Sequence, residues 1–102
     1  MEVLKEISDI LKAHVGKSNK VTSSQIADLI GIHEDATHAK TRSLIFQAAK
    51  QYKLPLAANN RGYFLIETKA EYHEYVNNLD SRIAGIEERK RIITENYKEK
   101  NK

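Results

Sequence analysis

The stretch that decides the fold runs from Val21 to Ile66: VTSSQIADLIGIHEDATHAKTRSLIFQAAKQYKLPLAANNRGYFLI. Its opening predicts a short helix with Ile26, Ala27, Leu29 and Ile30 as its apolar positions. Thr22, Ser23 and Ser24 each carry a hydroxyl suited to an N-cap. Gln25, three residues after Thr22, makes a capping box with Thr22 possible. Gly31 suits a left-handed C-cap, and Ile32 is expected to turn back into the core. A second helix is expected from about Ala36 to Gln51. Asp35 is its cap, and Glu34 stands beside it at the positive end of the helix dipole. Its buried stripe is Ala39 or Thr41, Arg42 in part, Leu44, Ile45, Ala48, Ala49 and Tyr52. Its other face carries Thr37, His38, Lys40, Thr41, Ser43 and Gln47. Pro55 ends helical structure and favours an extended Leu54. Leu56–Ala58 and Tyr63–Ile66 then read as strands closed by Asn59-Asn60-Arg61-Gly62, which supplies the Asn and Gly that positive-φ turn positions require. Alternation buries either Phe64 and Ile66 or Tyr63 and Leu65.

Upstream, Val3, Leu4, Ile7, Ile10, Leu11 and His14 or Val15 recur at steps of three and four. They predict an amphipathic helix over residues 2–15, stopped by Gly16 and followed by the polar connector Lys17–Lys20. Downstream, Thr68 and Glu71 form a second capping box and open the longest element. Tyr72, Val76, Leu79, Ile83, Ile86, Lys90, Ile93 and Tyr97 follow at alternating steps of four and three, a heptad seam with one cation in it. From Lys69 to Tyr97 such a helix is roughly 44 Å long at about 1.5 Å per residue. A small domain cannot cover all of that, so its second half needs another chain or solvent. Arg82 and Glu87 flank the seam where they could pair between two parallel strands. A single exposed helix held by local charge pairs is the alternative.

The chain has 102 residues, enough for one small domain. Its composition is that of a soluble folded protein: 40% hydrophobic and 30% charged. No apolar run is long enough to span a membrane, and no signal peptide is expected from the acidic, amphipathic start. Cysteine is absent, which excludes disulfides, thiolate metal sites and thiol catalysis and fits a reducing compartment. Net charge is +3, but it is unevenly spread. Residues 1–35 hold four Lys against six acids, and residues 70–102 hold seven of each sign. Residues 36–69 hold six Lys/Arg against Glu67 alone. The positive excess therefore falls on the second helix of the quoted stretch and the hairpin, where a phosphate-contacting surface belongs if this chain binds nucleic acid. A basic surface that serves solubility is the blander reading.

Helix, turn, helix and hairpin in this order make the plan of a winged helix-turn-helix. The expected fold is mainly α with a small β-hairpin: a winged head over residues 1–67 and a long coiled-coil-like helix over 68–102, expected to serve as a dimerisation element. The chain resembles small winged helix-turn-helix proteins encoded by phages and prophages of Gram-positive bacteria. The pieces that carry the resemblance are Ile26-Ala27-Asp28-Leu29-Ile30-Gly31, Arg42, Leu54-Pro55-Leu56, Asn60-Arg61-Gly62-Tyr63-Phe64-Leu65 and Thr68-Lys69-Ala70-Glu71-Tyr72, across about residues 21–95. The resemblance implies a DNA-binding or replication-associated role in a phage context, inside the bacterial cytoplasm. The chain departs from many DNA-binding winged helices in placing His38 and Lys40, not Arg, in the first half of the groove helix. That points to phosphate-led binding.

The residues expected at double-stranded DNA are Thr37, His38, Lys40 and Thr41 in the groove and Ser23, Ser24 and Gln25 at a helix N-terminus. Arg61 with Asn59 and Asn60 serves the hairpin tip, and Lys17 and Lys20 extend the basic edge. Arg42 either braces the domain or touches DNA. The residues expected to dimerise are Val76, Leu79, Ile83, Ile86, Lys90, Ile93 and Tyr97. Enzyme signals are poor: there is no phosphate-cradling Gly-rich loop, no Gly-x-Ser-x-Gly and no His-Glu-x-x-His. His33, Glu34, Asp35 and His38 are the only cluster with metal-ligand types, and Glu34 and Asp35 are better explained as cap residues. No cofactor is expected. The competing reading is a protein-interaction adaptor whose head or heptad helix binds a host or phage protein.

Overall fold

The computed structural model describes residues 2–33 and 38–100. Among them the chain forms four α-helices and one two-stranded antiparallel sheet, in the order α1 (Glu2–Lys12), α2 (Ser23–Ile30), α3 (Ala39–Tyr52), β1 (Leu56–Asn59), β2 (Gly62–Leu65) and α4 (Lys69–Lys100). The chain divides into two units, Met1–Glu71 and Tyr72–Lys102.

In the first unit, Ile7 and Leu11 of α1 are fully buried, one turn apart on a single stripe. With Val21, Ile26, Ile45, Ala48 and Leu65 they form the core, flanked by the half-buried Leu4, Ile10, Ile30, Leu44, Leu54, Leu56 and Tyr63. The helix stops at Lys12, earlier than the expected residue 15. The N–H groups of Ala13 and His14 bond back to Ile10 and Leu11, and Val15 leaves to pair with Leu65. The connector after Gly16 is a 3₁₀ turn, Lys17–Asn19.

Both ends of α2 follow local sequence chemistry. The Thr22 hydroxyl accepts the Gln25 N–H at 3.0 Å, and the Gln25 side chain accepts the Thr22 N–H at 2.9 Å. Gly31 closes the helix with φ 77°. Leu29, expected to be buried, is 67% exposed. Eight residues cover little more than two turns, and Ile26, Ala27 and Ile30 fill the inward face without it.

The start of α3 differs from expectation. It begins at Ala39, three residues later than Ala36, and the residue before it, His38, is left-handed with φ 51°. Asp35, the expected cap, lies outside the described residues. Thr41, Ile45, Ala48 and Ala49 face inward. Ala39, Lys40, Arg42, Ser43, Phe46, Gln47 and Lys50 face out.

The hairpin pairs Leu56 with Leu65 and Asn59 with Gly62, leaving Asn60-Arg61 as a two-residue tip. Neither residue of the tip has positive φ; the only positive value in the hairpin is at Gly62. β2 also takes partners on its other edge, at Val15 and Val21. It is therefore a central strand, and neither expected alternation holds: Phe64 and Leu65 are both buried, Tyr63 and Ile66 half-buried.

The last helix is continuous from Lys69 to Lys100, through Gly85. The Thr68 hydroxyl accepts the Glu71 N–H at 3.1 Å, half of the expected capping box, and the Glu71 carboxylate accepts the Thr68 N–H at 3.5 Å. Ile83, Ile86, Ile93 and Tyr97 are all exposed along it. No described helix is long and apolar enough to cross a membrane.

Candidate functional site

Two backbone hydrogen bonds set the site. The Val21 N–H reaches the Tyr63 carbonyl at 2.8 Å, and the Tyr63 N–H reaches the Val21 carbonyl at 2.7 Å. They fix the segment entering α2 against the hairpin. Gly62 permits this approach, because a Cβ there would lie 2.7 Å from the Val21 carbonyl oxygen. The result is an open hollow of about 300 Å³ between the start of α2, the outer face of α3 and the hairpin tip. Thr22 and Ser23 line one side, Arg42 another, and residues 58–63 the third.

Two guanidiniums, Arg42 and Arg61, line this hollow, and among the described residues no carboxylate does. Both arginines are exposed. Arg42 is anchored through its backbone, whose N–H bonds to the His38 carbonyl at 2.9 Å in the first turn of α3. The tip is held by an Asx-type bond in which the Asn59 Oδ1 accepts the Arg61 N–H at 2.8 Å. At the start of α2 the first backbone N–H groups have no carbonyl one turn back to receive them, and they give that end positive character. The hollow can therefore receive an anion through two exposed guanidiniums and a helix end. No protein-family model, curated protein or solved structure matches the chain.

The expected contact residues sort unevenly around this hollow. Ser23, Asn59, Asn60 and Arg61 line it together. Ser24 is exposed but does not line it, and Gln25 commits its Oε1 to the Thr22 cap. Lys20 donates its Nζ to the Lys17 carbonyl at 2.9 Å and is half-buried beside the tip. Lys40 lies on the outer face of α3. Thr41 is a correction: with no exposed surface it belongs to the core and cannot reach a groove. His38 is half-buried, and its Nδ1 is buried with no partner among the described residues, so it is a poor groove donor. Thr37 lies outside the described residues.

Arg42 and Phe46 are the residues that sequence reasoning undervalued. Phe46 is 68% exposed, one turn along α3 from Arg42 and one turn before Lys50. The spacing Arg42-Phe46-Lys50 was available as a signal: three large side chains at i, i+4 and i+8 on a face with no core role. Among the described residues, no three His, Asp or Glu side chains gather to hold a metal ion. Glu34 and Asp35 of the His33–His38 cluster lie outside them.

Proposed function

We propose that this chain is a double-stranded DNA-binding protein of the winged helix-turn-helix type, acting as a homodimer in phage or prophage transcription control or replication. In this reading α2 and α3 are the helix-turn-helix, the hairpin is the wing, and the protein works in the cytoplasm of the bacterial host. The observation that carries it is the hollow where Arg42 and Arg61 converge beside the start of α2. Phosphates supply most of the affinity of such proteins, and arginine forks with helix N-termini are their usual receptors. The exposed face of α3 adds Lys40, Ser43, Gln47 and Lys50, which are donors for backbone and base edges. The uneven charge supports the same surface, since residues 36–69 hold six basic side chains against one acid.

The test is a binding titration of mixed-sequence duplex over a range of salt. The logarithm of affinity is expected to fall linearly with the logarithm of salt, by about 0.9 for each phosphate neutralised. Absence of binding at low salt, or an affinity indifferent to salt, overturns the proposal.

One observation favours a second reading, a protein-interaction adaptor. Ile83, Ile86, Ile93 and Tyr97 leave an apolar line exposed on α4, suited to a partner helix. That reading requires a chain that is monomeric alone and forms a complex with a different protein. Sedimentation of the purified chain separates the two.

A further inference from the structure

The homodimer reading leaves open how two copies of α4 pair, and the flanks of the apolar line answer it. Because α4 is unbroken, the heptad spacing holds in three dimensions from Val76 to Tyr97. Ile83 and Lys90 stand at a positions, Ile86 and Ile93 at d positions, and the two isoleucines at d are about 60% exposed. The positions just before a are Arg82 and Arg89, and those just after d are Asp80 and Glu87. One flank is therefore basic and the other acidic.

In a parallel pair each flank faces the opposite flank of its partner. In an antiparallel pair each flank faces its own kind, whatever the register. Antiparallel pairing sets Arg82 and Arg89 against the same arginines of the second copy, and Asp80 and Glu87 against the same acids. Parallel pairing sets Arg82 against Glu87, twice per dimer. The ion pair Arg91–Glu95, at 3.2 Å, lies off these flanks and leaves all four flanking charges for the interface. Lys90 meets its own copy in parallel register, a cost its long stem relieves by carrying the ammonium outward.

We infer that the occupant of this face is a second copy of the chain, packed parallel and in register. The inference rests on the homodimer reading. Its consequence is that the two copies of α4 begin at the same end of the pair.

The chain has no cysteine, so single-cysteine variants of these 102 residues report orientation directly. Ile86→Cys and Ile93→Cys, each oxidised alone with glutathione, are both expected to form a disulfide with their own copy. Crosslinking of only one of them, or only of the mixture, is the antiparallel result and overturns the proposal. A second measurement uses the sign of a charge change. Arg82→Glu is expected to raise the dimer dissociation constant about tenfold, and adding Glu87→Arg to restore it. An antiparallel dimer in which Arg82 faces Arg89 of the second copy would tighten with Arg82→Glu, and one in which Arg82 faces itself would not be restored by Glu87→Arg. A wild-type chain that sediments as a monomer at all concentrations removes the homodimer reading and this proposal together, whereas a dimer with the antiparallel pattern removes this proposal alone.

Discussion

The Glu71 carboxylate accepts the backbone N–H of Lys17 at 3.0 Å, joining residues 54 positions apart in the chain. It also accepts the N–H groups of Glu67 at 2.8 Å and Thr68 at 3.5 Å. One side chain thus serves the first turn of α4 and the connector after α1. The Glu67 N–H, then the Lys17 N–H, hold its carboxyl below the usual carboxylate range. The folded state therefore favours the ionised form, and the contribution is present above the unfolded value of about 4.3. It is lost as pH falls through the lower folded value. Glu71→Gln is expected to lower the melting temperature at pH 7 and to flatten its decline on acidification. Circular dichroism melts across that range check it, and an unchanged melting temperature at pH 7 refutes it.

Ser8 is the weak point of the core. It lies on the inner face of α1 at 1% exposure, and its hydroxyl has no partner among the described residues. A buried, unsatisfied hydroxyl costs about 1–3 kcal/mol. Ser8→Ala is expected to recover part of that and raise stability by about 1 kcal/mol, while Ser8→Leu, which adds volume to a filled site, loses about 1–3 kcal/mol. Urea unfolding of both variants measures the pair. A destabilised Ser8→Ala would mean that the hydroxyl has a partner in solution.

Local chemistry was the readable part of this chain. Thr22 with Gln25, Gly31, Pro55 and Thr68 with Glu71 mark their boundaries through contacts a few residues long, and sequence shows them. The burial of Thr41 was not fixed in this way, because a threonine suits either the buried stripe or the outer face. The packing of α3 on α1, a tertiary contact, decides for the inside. The hollow was legible on the hairpin side, through Asn59–Arg61, and at Ser23. What brings those pieces together is the backbone pairing of Val21 with Tyr63, which has no side-chain signature. The same holds for the Lys17 amide that Glu71 receives.

Gly62 and Gly85 should respond to alanine in opposite directions. Gly62 has φ 143°, and a Cβ would collide with the Val21 carbonyl oxygen at 2.7 Å, a backbone atom that cannot swing aside. Gly62→Ala is expected to cost roughly 1–3 kcal/mol and to open the hollow. Gly85 sits inside α4 with nothing within 4 Å of a new Cβ, so Gly85→Ala is expected to add about 0.8–1 kcal/mol of helix stability. Thermal melts read both. Equal and small effects would contradict the close approach of the hairpin to the segment before α2.

Arg42 and Arg61 offer the sharpest test of the hollow as a phosphate receptor. If each neutralises one phosphate, Arg42→Ala and Arg61→Ala each weaken binding to every duplex by a similar factor and each lower the salt slope by about 1. Arg42→Lys should keep the charge, and so most of the slope, while losing the two-pronged geometry of guanidinium. Thr41→Ser makes the contrast, since a side chain with no exposed surface should alter stability and leave the slope unchanged. The measurement is the duplex affinity of each folded variant at several salt concentrations. Arginine variants that keep the wild-type slope would remove the hollow from the binding surface, even if the protein binds DNA elsewhere.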